Sequence, residues 1–298
     1  MKTKRIFGCL VALLVFVVSA PATTVVWYGT TSNAWNVGSN WSSDVPAVGD
    51  NAHVYGGTAI ITDARAADQL RLSSDYATDT GIVTIASGGS LQVLGGAFAQ
   101  FGGSVGTLNV QAGGSFTSTG AWTVGTGGSA TMVIDGTVQV NGQFSSAHGS
   151  TGTANITIGN GGSLTVGGIM YHGYSGTSVI TVNAGGSLAC TGPYIYSPGH
   201  GSFVVGGTIT TPALYHNPNI GNFTDIVGNG KVYVTTLSEL AEISSYLLDG
   251  RLKGNGIDGN VNISAWDGSK YTLTVIPEPA TLMILALGGL FLKRRAAK

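Results

Sequence analysis

Between residues 81 and 230 one unit keeps recurring: GIVTIASGGSLQVLGG, GTLNVQAGGSFTSTG, ATMVIDGTVQVNG, ANITIGNGGSLTVGG, SVITVNAGGSLACTG and SFVVGGTITTPAL. Each joins two alternating apolar positions, a glycine turn and a further strand-like run. The marker is the glycine just before Ser or Thr: Gly89, Gly114, Gly136, Gly162, Gly186 and Gly207, spaced 25, 22, 26, 24 and 21 residues apart. The pairs Val83/Ile85, Leu108/Val110, Ile156/Ile158 and Ile180/Val182 precede the turn, and Leu91/Val93, Val138/Val140 and Leu164/Val166 follow it. Alternation with period two places each pair on one face of a strand. One unit cannot bury that face alone, but stacked units can. The expected fold is therefore all-β: a right-handed parallel β-helix or similar β-solenoid of about six coils, 21–26 residues each. Six coils at about 4.8 Å make a rod segment of roughly 29 Å. A sandwich of hairpins is the competing fold. It fits less well, because the whole strand–turn–strand unit repeats in phase.

Composition agrees. Glycine supplies 48 of 298 residues, without the every-third-residue period of collagen. The chain is 43% hydrophobic, against the low apolar content of disordered chains. Each Gly-Gly step is expected to supply a bend with positive φ.

An open-ended solenoid invites edge pairing, so both ends should be capped. Residues 23–80 hold a non-repetitive stretch with Trp27, Trp35 and Trp41, read as a cap over the first strands. Residues 231–275 read as the opposite cap. There Thr236 and Glu239 match a capping box, Leu237, Leu240, Ile243 and Leu247 share a helical face, and Gly250 fits the stop. Strands should follow around VNISAW and KYTLTVI.

The first 22 residues read as an export signal. Lys2, Lys4 and Arg5 precede an apolar core from Ile6 to Val18, and Ala20-Pro21-Ala22 fits small-residue cleavage after Ala22. Cys9 leaves with that signal. Cys190 then has no partner for an intramolecular disulfide and reads as a small core residue.

Chemistry is sparse. From Gly81 to Gly230 the only charged residues are Asp135 and Asp225, about four units apart. Polysaccharide-cleaving enzymes need paired carboxylates or a base, so catalysis is not expected. His148 and His172 are 24 residues apart, each 14 before its marker, and should stack as turn residues on successive coils. No carboxylate or cysteine accompanies them as a metal ligand. GNGIDGNV, from Gly254, reads as a turn rather than a calcium loop, since the motif does not recur. Neither a metal nor a cofactor is expected. Residues 23–276 hold 13 acids and six bases, which argues against nucleic acid as a partner.

The C-terminal residues 276–298 have three parts in order: Pro277-Glu278-Pro279, a mostly apolar run from Ala280 to Leu292, and the basic cluster Lys293, Arg294 and Arg295. The run is short of the roughly 20 residues of a full membrane span. The cluster would stay cytoplasmic and halt translocation. This tail resembles the PEP-CTERM sorting signal of Gram-negative bacteria. The resemblance implies transient inner-membrane insertion, recognition by an exosortase and processing near Pro277-Glu278-Pro279. It also implies a setting of exopolysaccharide and biofilm. The body is similar to glycine-rich solenoid proteins that carry this tail, a likeness shared by Asn40-Trp41 and Pro46…Gly49-Asp50. The expectation is an exported structural protein of the cell surface or extracellular matrix. A carbohydrate-binding or adhesive module, with exopolysaccharide as partner, and a polysaccharide-degrading enzyme are the other readings.

Overall fold

The computed structural model describes residues 22–74, 78–100, 102–218 and 221–276. The chain winds into a three-sided parallel β-solenoid. On the first face nine strands stack in parallel, from Gly56–Ile61 through Thr80–Ile85, Val105–Val110, Ser129–Ile134, Thr153–Ile158, Thr177–Val182, His200–Val205 and Phe223–Ile226 to Leu252–Gly254. In most coils a glycine turn leads to the second face, where Ser115–Ser118, Thr137–Val140, Ser163–Val166 and Ser187–Cys190 lie in register. A second corner leads to the third face, with Trp122–Val124, Phe144–Ser146, Met170–Tyr171, Ile195–Ser197 and Leu214–His216. In two early coils a single strand, Ala64–Leu72 or Ser90–Phe98, runs through that corner.

Period-two alternation becomes columns of like residues running along the rod. Ile61, Ile85, Val110, Ile134, Ile158, Val182, Val205 and Ile226 occupy one register position on the first face, and all are buried. Every apolar pair expected to point inward does so. Burying one such side chain is worth about 1.5–3 kcal/mol, and it requires a coil above and a coil below.

There are about nine coils, not six. Six marker glycines identify the coils whose first-face strands begin at residues 80, 105, 129, 153, 177 and 200. The coil at Gly56–Ile61 turns at Thr62-Asp63, held by an ion pair between Asp63 and Arg65. In the coil at Phe223–Ile226, the turn glycine Gly230 precedes Lys231 rather than Ser or Thr. The last coil turns back as a hairpin. The stacking physics is the same in all three, but the marker is missing.

Both ends are covered. Trp27 and Trp35 meet Trp41 edge to face, with centroids 5.0 and 4.6 Å apart, and all three rings are buried. The Trp35 backbone N–H donates to the Ile60 carbonyl (2.9 Å), and the Ile60 N–H to the Asn33 carbonyl (2.7 Å), which occupies the free edge of the first strand. Asn40, fully buried, holds this loop: its Oδ1 accepts from the Thr31 and Ser32 N–H groups. At the other end Leu252–Gly254 pairs antiparallel with Ile257–Asp258, and Lys231–Val234 with Tyr271–Val275. Gly254 to Val261 is thus a hairpin turn, with Asp258 paired to Lys253 at 3.0 Å.

The cap helix α1 spans Leu240–Leu248 after a 3-10 turn at Leu237–Glu239. Two details differ from expectation. Thr236 makes no side-chain cap, and Glu239 instead accepts from Ser238 and from the Tyr215 hydroxyl. The buried face is Ile243 and Tyr246, while Leu237 and Leu240 are exposed. The 3-10 turn rotates the first turn out of phase with the helix. Gly250, at φ +78°, closes the helix as expected. Among the described residues no helix is long and apolar enough to cross a membrane.

Candidate binding face and buried histidines

The outward side of the third face is the most differentiated surface. Its central register column runs from His53 through Arg71, Ala97, Thr123 and Ser145 to Tyr171, Tyr196 and Tyr215, with His53 and Ser145 buried and the others partly exposed. The small residues sit over coils that pack closely: a Cβ on Gly96 would lie 2.1 Å from the Leu70 carbonyl oxygen. This creates a depression of about 470 Å³ walled by Asn51, Asp68, Gln69, Arg71 and Leu94. Asn51 Oδ1 is buried there without a partner. Asp68 accepts from the Gly49 N–H at 2.9 Å, and Arg71 Nε donates weakly to Gln69 Oε1 at 3.4 Å.

Farther along the face the aromatic rings form a ladder. Tyr171 meets Tyr196 at 6.2 Å and Tyr174 at 5.1 Å, and Tyr194 meets Tyr215 at 5.5 Å, all edge to face. Tyr174 stacks in parallel on His148 at 4.5 Å. Burial, followed by neighbouring tyrosines, raises the Tyr171 phenol above its usual range; its hydroxyl is neutral and available as a donor.

That His148–Tyr174 contact corrects the expected histidine stack. Register sets Ser146, not His148, opposite His172. From Ser145 to Thr153 the chain takes two more steps than from Tyr171 to Thr177, their register partners, so counting back from the next marker shifts the phase. His172 consequently points inward and is fully buried. Its Nε2–H donates to the Ser202 carbonyl (3.0 Å), and its Nδ1 accepts from the Ser146 hydroxyl (3.1 Å). Ser197 and His216 continue this inward column. His216 Nε2 meets Thr224 Oγ1 at 2.9 Å, whereas Nδ1 has no partner. Burial depresses both imidazoles, His172 to about 4 and His216 to about 3, the latter also through His172 and Arg251.

Among the described residues no three metal-ligating side chains converge. Asp135 and Asp225 lie on first-face coils four steps apart, and Asp225 accepts from the Gly256 N–H at 2.9 Å. Cys190 is buried on the second face, with its thiol pushed up by burial. Of the residues assigned to export and sorting, Ala22 lies exposed at the rim of the third-face depression. Ala20, Pro277, Glu278, Pro279, Lys293, Arg294 and Arg295 lie outside the described residues.

Neither the curated proteins nor the solved structures include a match to this chain. Residues 275–297 match the PEP-CTERM protein-sorting motif, so the solenoid carries the address of an exported, exosortase-sorted protein.

Proposed function

We propose that this protein is a structural component of the cell surface or extracellular matrix, delivered by an exosortase into an exopolysaccharide-rich setting. One combination carries the reading: a sorting motif at residues 275–297 on a nine-coil rod with two charged residues between Gly81 and Gly230. The rod is rigid, because each coil is hydrogen-bonded along three faces to its neighbours. It offers few groups for acid–base chemistry, and the role is scaffolding rather than catalysis. The segment from Ala280 to Leu292 holds the chain in the inner membrane until processing near Pro277-Glu278-Pro279, with Lys293, Arg294 and Arg295 on the cytoplasmic side.

The test is to express the full chain in cells with and without exosortase and weigh the mature C-terminus. The expected result is a shortened C-terminus only where exosortase is present. Lys298 retained in both would contradict sorting and leave a plain anchor.

A further inference from the structure

We propose that the outward third face is a groove for one extended polysaccharide chain, running from the Asn51/Arg71 depression to the tyrosine ladder. The inference deepens the surface-scaffold reading by assigning the polymer a site. It rests on that reading only for where the polymer is met.

Four observations point to this occupant. The first is linearity. From Arg71 to Tyr215 the column advances six coils, a track of roughly 29 Å at about 4.8 Å per coil, bounded by His53 at one end and by Glu239 of the cap at the other, with Ser145 recessed between. A compact metabolite would instead call for an enclosed pocket. The second is chemistry. The track presents tyrosine rings and side-chain amides, with Thr123 and the Arg71 guanidinium beside them. A pyranose offers the complement: an apolar C–H face for a ring and a rim of hydroxyls for donors and acceptors. Edge-to-face contacts fix the tilt of each ring before anything binds, which lowers the ordering cost.

The third is unfinished bonding in the depression. Asn51 Oδ1 is buried without a donor. Among the described residues no carboxylate pairs with Arg71, whereas Arg65, Arg251 and Lys253 all have one. A hydroxyl-rich chain satisfies both groups. The fourth is what the face lacks. Its strands are interior to the ladders except Leu214–His216, whose outer edge is met at His216 by the Tyr246 hydroxyl and the Arg251 guanidinium, so the face offers little free edge for an added peptide strand. Leu94 is the only exposed large aliphatic side chain on the depression's wall, too little for the apolar core of a protein interface. One arginine beside Asp68 does not make a phosphate track.

The test is affinity electrophoresis of the purified, secreted protein in native gels containing alginate, xylan, β-1,3-glucan or hydroxyethyl cellulose. Retardation in at least one gel is expected. Tyr174→Ala and Tyr196→Ala should each weaken it by about tenfold, equivalent to about 1.4 kcal/mol. Tyr196→Phe, which keeps the ring, should retain it. Thr131→Ala, on the first face, should leave it unchanged. Circular dichroism checks that each variant is folded, and Tyr174, at 38% exposure, provides a change with little structural risk. Free mobility of the wild type in all four gels would overturn the groove. So would retardation that survives both alanine changes or falls equally with Thr131→Ala. None of these outcomes bears on exosortase processing, which is read from the C-terminal mass.

Discussion

Gly161 and Gly162 are adjacent and serve different purposes. Gly161 sits at φ +81° with open space around it, so its requirement is conformational. Gly162 has ordinary φ, but a Cβ there would lie 2.0 Å from the Ile134 carbonyl oxygen of the preceding coil. Gly89, Gly114, Gly136, Gly186, Gly207 and Gly230 repeat that close approach. The need for positive φ in the Gly-Gly step was legible at Gly88, Gly113, Gly161 and Gly185, since local chemistry dictates it, whereas Gly206-Gly207 turns without it. The reason for the marker glycine was not, because the obstructing carbonyl belongs to a residue more than 20 positions away. Gly161→Ala should cost about 1–2 kcal/mol through backbone strain, and Gly161→Asn less, since Asn tolerates this region. Gly162→Ala should cost about 3 kcal/mol, as an overpacked site with backbone as the obstacle, and Gly162→Asn should not relieve it. Urea midpoints of the four variants check this, and equal recovery by Asn at both positions would contradict it.

At the scale of elements, the C-terminal cap shows where sequence reasoning ends. The apolar spacing in LSELAEISSYLLDG and the final glycine revealed a helix. The capping box failed because Glu239 finds the Tyr215 hydroxyl, a partner 24 residues away. The buried anchor of α1 is Tyr246, whose hydroxyl accepts from the His216 N–H at 3.1 Å and donates to Glu242 at 2.8 Å. Beside it Arg251 bonds the His216 carbonyl at 2.6 Å and is paired with Asp249. The cap therefore rests on a neutral, buried His216, with His172 farther along the same column. Both imidazoles have folded pKa values below the ordinary 6.5, at about 3 and about 4. As pH falls below 6.5 the unfolded chain takes up protons that the folded chain refuses, so stability declines. The loss is up to about 1.4 kcal/mol per pH unit for each histidine, until the folded pKa is reached. Stability from these sites is complete above pH 6.5 and falls between about 6.5 and 4 for His172 and between about 6.5 and 3 for His216. Denaturation midpoints at pH 7.5, 6, 5 and 4.5 should follow that slope, and His172→Gln should flatten it. A slope unchanged in His172→Gln and His216→Gln would refute the assignment.

At the scale of the molecule, the period was legible because every coil faces the same demand. Each must hide one side of three strands beneath the next coil, and alternation plus a close-approach glycine meets that demand. Coils solving the turn differently escaped the count: Asp63 with Arg65 at the start, Gly230 before Lys231 near the end. The third-face track was not legible as a site. Arg71 and Tyr215 are 144 positions apart in the chain, and only the register places them in one column. The same register offers the most direct test of the stacked-coil architecture. Asp135-Gly136 also has the sequence of a two-residue hairpin turn, and a hairpin there would pair Val133 with Val138. Stacked coils instead place Thr131 beside Asn155. In a Cys190→Ala background, Thr131→Cys with Asn155→Cys should form a disulfide on mild oxidation of the native protein. Val133→Cys with Val138→Cys should not. A cross-link in the second pair and none in the first would contradict the solenoid.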